Sequence, residues 1–111
     1  MTRALVLSGG VTHDFPALAT ELTALLAENG VTADVREDAE EALRHAAEYD
    51  LLVVNMLRWR MESGPYAAQR ERWGLSLSAA SRSAFTEFVH GGKGMLALHA
   101  ATICFDDWPE W

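Results

Sequence analysis

A chain of 111 residues, half of them hydrophobic and 23% charged, has room for one globular domain and is too apolar to be a disordered segment. Its formal net charge of −7 works against nucleic acid and anionic membrane surfaces, which favour a basic face. A single cysteine, Cys104, rules out an intrachain disulfide and a CxxC metal pair and fits a reducing cytoplasm, and no apolar run approaches the ~20 residues that a bilayer span requires.

In chain order, Ala4-Leu5-Val6-Leu7 is a continuous apolar run between Arg3 and Ser8-Gly9-Gly10. It predicts a strand at 4–7 buried on both faces; four apolar residues are too few for a signal peptide. From Asp14 to Asn29 the spacing turns helical, with Leu18, Leu22, Leu25 and Leu26 on one face. Asp14 suits the N-cap, Pro16 the first turn and Gly30 the position after the C-cap. A second strand follows at 31–36. Asp38 and Glu41 have capping-box spacing, and a helix with a thin face of Ala42, Leu43, Ala46 and Ala47 is expected to run to about Tyr49.

Leu51 to Met56 predicts a third strand, again apolar on both faces, and 57–77 an irregular stretch. Ser78 is the expected cap of a helix carrying Ala84, Phe85, Phe88 and Val89, which Gly91-Gly92 ends. A fourth strand is expected at 95–98, with no helix in 99–111. Strands alternating with helices call for an α/β fold with a parallel sheet and right-handed crossovers, of flavodoxin-like order 2-1-3-4. Such a sheet would leave its last edge uncovered. Either the chain is the first part of a longer domain, the favoured expectation, or a partner subunit in a homo-oligomer supplies the cover.

Open α/β sheets bind ligands outside the carboxyl ends of their strands, at the point where the strand order reverses. The loops at 8–14, 56–77 and 99–111 face that point. In the first, Gly9 and Gly10 allow close backbone approach to a ligand, and His13 follows. The spacing is not GxGxxG and there is no Walker lysine, so no nucleotide or other cofactor is identified. The bland alternative is a glycine turn with a solvated histidine. In the last loop, His99 follows the apolar strand directly and precedes small residues, Ala100, Ala101 and then Thr102, as at a nucleophile elbow. An imidazole there serves as general base, hydrogen-bond donor or metal ligand, or as a core histidine bonded to backbone.

Asp106, Asp107 and Trp108 mix carboxylates with an indole, the chemistry of a carbohydrate site; the alternative is that the tryptophans pack onto the domain. Adjacent residues point different ways, so Asp106 and Asp107 are not a ready-made acid/base pair. Arg58, with Arg60, Arg70 and Arg72, either holds an anionic group or pairs with Glu62 and Glu71. His45 and His90 read as structural, and Cys104 as buried and inert.

Three stretches resemble the trehalose-utilisation (ThuA-like) family. They are Leu-Ser-Gly-Gly-Val-Thr-His-Asp-Phe near the start, Phe-Val-His-Gly-Gly-Lys-Gly, and Met-Leu-Ala-Leu-His-Ala-Ala-Thr-Ile-Cys-Phe-Asp-Asp-Trp-Pro-Glu-Trp at the end. The resemblance implies the class I glutamine amidotransferase-like fold, as the N-terminal part of a longer domain. It aligns His13 with the family's His-Asp pair and puts His99 where true amidotransferases keep their cysteine. Without a thiol there, glutaminase chemistry has no nucleophile. The implied function is in carbohydrate metabolism, on a trehalose-type or keto sugar. His13 and His99 would be the catalytic or positioning groups, with Gly9, Gly10, Thr102, Asp106, Asp107, Trp108 and Arg58 around the ligand. A non-catalytic sugar-binding module and a metal-dependent hydrolase are the alternatives.

Overall fold

The computed structural model describes residues Met1–Trp111. Four strands, β1 (Thr2–Gly10), β2 (Val31–Arg36), β3 (Leu51–Leu57) and β4 (Gly94–Ala97), form one parallel sheet of order β2-β1-β3-β4. The helices are α1 (Phe15–Glu28), α2 (Ala39–Leu43), α3 (Arg70–Trp73) and α4 (Ala79–His90). This is the flavodoxin-like three-layer arrangement expected from the alternation of strands and helices. Right-handed crossovers put α1 on one face of the sheet and α2 and α4 on the other.

Alternation along the strands fills both layers. Leu5, Leu7, Leu52, Val54 and Met56 meet Leu43 of α2 and Phe85 and Phe88 of α4 in the larger core. Burying each of these side chains contributes roughly 1.5–3 kcal/mol. Val6 and Val53 point the other way and are also fully buried. Strand β4 is different. Met95 and Leu96 are 40% and 41% exposed, while Val53, the register partner of Leu96, has no exposed surface. The uncovered last edge expected from the sequence is therefore present.

Three caps are made as the residue types suggest. Asp14 Oδ1 accepts from the Ala17 amide, Asp38 Oδ1 from that of Glu41, and Ser78 Oγ from that of Ser81, each at 3.1 Å. Glu41 does not close a capping box; its carboxylate pairs with Arg44 and His45.

Other expectations are corrected. Strand β1 outruns its apolar core of 4–7, because Ser8, Gly9 and Gly10 stay in register with Asn55, Met56 and Leu57. The second helix ends at Leu43 and is followed by a 3-10 turn at Ala46–Glu48. The amides of Arg44, His45 and Glu48 bond three residues back, and the tighter winding delivers Tyr49, whose hydroxyl donates to Asp34 Oδ2 at 2.7 Å. The stretch 57–77 contains a 3-10 turn at Ala67–Gln69 and the single turn α3. Another 3-10 turn occupies His99–Ile103. In α1 the buried stripe is Phe15 and Ala19, continued by half-buried Leu22 and Leu26, whereas Leu18 and Leu25 are 47% and 58% exposed. The buried stripe is therefore rotated from the one the leucines alone suggest.

Candidate functional site

The loops after β1 and β4 leave the same end of the sheet and meet there, across the end of β3. The rings of His13 and His99 lie with centroids 5.2 Å apart at 65°, and His13 also meets the edge of Phe15 at 5.6 Å. Both histidines are exposed. Local backbone geometry presents them. Thr12, just before His13, has φ +71°, and His99 itself has φ +48°. A left-handed conformation at a non-glycine residue costs free energy and persists where the surroundings enforce it. Here the chain turns sharply from β4 into a 3-10 turn. The Ala101 amide donates to Leu98 O at 3.0 Å, and Thr102 Oγ1 donates to His99 O at 3.3 Å. Ala101 is fully buried beneath the turn.

The two glycines serve the fold as well as the crevice. A Cβ on Gly10 would stand 2.2 Å from the Leu57 carbonyl oxygen, so only glycine lets β1 and β3 pair to their ends. A Cβ on Gly9 would meet the Trp73 ring at 2.7 Å.

Arg58 is buried, with each guanidinium nitrogen bonded to a backbone carbonyl. It donates to Glu37 O at 2.8 Å, Trp73 O at 3.1 Å and Gly74 O at 3.5 Å. Burial pulls its pKa down, and the charges of Asp38 and Glu37 act against this. Arg58 therefore clamps two loops together instead of facing an anion.

Thr102, Asp106, Asp107 and Trp108 are likewise committed. The hydroxyl of Thr102 closes the His99 turn. Asp106 takes the Arg60 amide at 3.0 Å and its Nε at 3.1 Å. Asp107 accepts from Ser76 Oγ and pairs with Arg82 at 3.1 Å. The Ser76 hydrogen bond is the main reason its carboxyl sits below the usual range; burial opposes it and Arg82 assists. Its Oδ1 is buried without a partner. Trp108 is 8% exposed, packed edge-on against Phe85 and Phe105 and stacked on Trp111. It sits in the core, not on an open sugar-stacking surface.

Cys104 is buried. Its thiol donates to Met56 O at 3.3 Å, and burial pushes its pKa up more than Arg58 offsets. His45, exposed, bridges Glu41 and Glu48 as a surface residue should. Nowhere do three His, Cys, Asp or Glu side chains converge as a metal site requires.

Sequence reasoning passed over Glu37, and it gave Trp73 of the long 57–77 loop no particular place at a site. They border a cavity of about 460 Å³ at the carboxyl ends of β1 and β2, which Gly9, Gly10 and Phe15 also line. The strand-end rule that selects His13 also selects Glu37, one residue past β2. Trp73 lies in a loop long enough to read as a binding element, but only the folded 57–77 segment carries it back over Gly9.

No protein-family model, no curated protein and no solved structure matches the chain.

Proposed function

We propose that this chain is a ThuA-like protein of carbohydrate metabolism. It binds a trehalose-type or keto sugar at the carboxyl ends of its strands, with His13 and His99 as paired acid/base or positioning groups. The observation that carries the reading is the meeting of the two imidazoles, 5.2 Å between centroids, on loops from two different strands. At that separation they can address neighbouring atoms of one sugar. One ring accepts a proton from a hydroxyl or an adjacent carbon while the other donates to the neighbouring oxygen. The left-handed backbone of His99 supports the same reading, since strain of this kind gathers at functional turns.

Glutamine hydrolysis is not part of the proposal. The elbow position carries an imidazole, and the one thiol is buried with a raised pKa.

The test is product analysis on a panel of aldoses, keto sugars and α-linked disaccharides with the wild type, His13→Ala and His99→Ala. The expected result is turnover of at least one sugar by the wild type, reduced about 100-fold or more in either variant, the usual worth of a positioned acid or base. Turnover unchanged by both substitutions would contradict the assignment. Saturable sugar binding with no product would favour the binding-module reading.

A further inference from the structure

The cavity at the ends of β1 and β2 lies beside the imidazole pair: neither histidine lines it, and Phe15, which does, meets the edge of His13. We propose that it binds an uncharged ring compound bearing a vicinal diol, with the Glu37 carboxylate accepting both hydroxyls and the ring lying between α1 and Trp73.

Four features lead there. The volume, about 460 Å³, suits a molecule of one to three rings. The walls are largely apolar: Phe15 and Ala19 on the helix side and the Trp73 indole opposite.

The two sides are held in fixed relation by one buried group. The Arg58 guanidinium bonds to the carbonyl of Glu37 and to that of Trp73. Glu37 is thereby anchored by its main chain while its carboxylate stays exposed and makes no hydrogen bond or ion pair. An acidic residue just past the second strand of a β-α-β unit is well placed to accept from the hydroxyls of a ring.

Charge selects against a phosphate. The start of α1, which would otherwise attract an anion, is occupied by the Asp14 carboxylate bonded to the Ala17 amide, and Pro16 removes a donor from the first turn. The charged side chains lining the cavity are Glu37 and Arg72, which sum to zero, and the Arg72 guanidinium already rests 4.6 Å over the Trp73 ring.

This proposal needs no turnover and does not depend on the sugar chemistry of His13 and His99. Neutral diol rings come from nucleosides or from aryl glycosides, and the probes separate the two. Adenosine and phenyl glucoside are titrated into the full chain, followed by calorimetry and by the Trp73 indole resonance. At least one of them should saturate below about 1 mM and move that resonance, and AMP should bind about tenfold or more weaker than adenosine if adenosine is the one that binds.

Thr23→Trp fills the cavity from a half-buried helix position and should abolish binding, while the amide spectrum reports that the fold is intact. Glu37→Gln, at an exposed position, should weaken the diol probe about tenfold and leave its dideoxy analogue unchanged. The proposal is overturned if neither probe saturates by about 10 mM, if binding survives Thr23→Trp, if Glu37→Gln has no effect, or if AMP binds as well as adenosine.

Discussion

Position 99 carries an imidazole on a backbone that glycine would adopt at no steric cost, and a left-handed φ of +48° there weighs against stability. His99→Gly should therefore leave the protein as stable as the wild type or raise it by up to about 1 kcal/mol, while removing whatever the imidazole does. Denaturant unfolding beside sugar turnover would show that split; a large destabilisation would mean that the ring packs rather than reacts. Gly10 is the opposite case. Gly10→Ala would drive a Cβ into the Leu57 carbonyl and should cost several kcal/mol, about 3 or more, read in the same melts. Arg58 is a third residue with a specific expectation. Arg58→Met leaves three carbonyls without their donor and should cost about 2–4 kcal/mol, with loss of the fixed geometry of Glu37 and Trp73. Read in the sequence, Arg58 either holds an anionic group or pairs with a glutamate of its own loop. Its true role rests on contacts with residues 15 to 21 positions away, which no local pattern encodes.

At the scale of elements, local signals were the legible ones. The caps at Asp14, Asp38 and Ser78 and the apolar runs of β1 and β3 are read from neighbours in sequence, and the structure keeps them. The rotation of α1 was not legible, because Leu18 and Leu25 satisfy the helical period as well as Phe15 and Ala19 do. Only the sheet decides between the two stripes. The contact between α2 and α4 was equally hidden. Glu40 accepts from the Ser78 amide at 2.7 Å and from the hydroxyls of Ser78 and Ser81, joining the first turns of both helices. Burial pushes its carboxyl up, but the bonds from Ser81 and Ser78 outweigh it and hold the pKa below the ordinary 4.5. A lowered folded pKa gives a contribution that is complete above the unfolded value and is lost as the pH falls through the folded one. Stability should therefore drop more steeply between about pH 5 and pH 3 in the wild type than in Glu40→Gln, and the variant should be about 1–2 kcal/mol weaker at neutral pH. Parallel acid titrations of both would contradict the assignment.

Across the whole molecule, the order of strands follows from alternation and handedness, which is why it could be read before any contact was known. The same order leaves one sheet face unequally covered. Val53→Ala should cost about 2 kcal/mol, since Val53 is fully buried, while Leu96→Ala, one strand over, should cost less than about 1 kcal/mol. That order also brings the loops after β1 and β4 together, and the meeting of His13 with His99 was legible to that extent. The fates of Asp106, Asp107 and Trp108 were not, because their partners Arg60, Arg82 and Phe85 come from α4 and the 57–77 segment. The most direct test of the central claim, that the two imidazoles act as one site, is a double-mutant cycle on sugar turnover. If they act together, His13→Ala, His99→Ala and the double variant should fall to nearly the same residual rate. Single losses that multiply in the double variant would show two independent residues and contradict it.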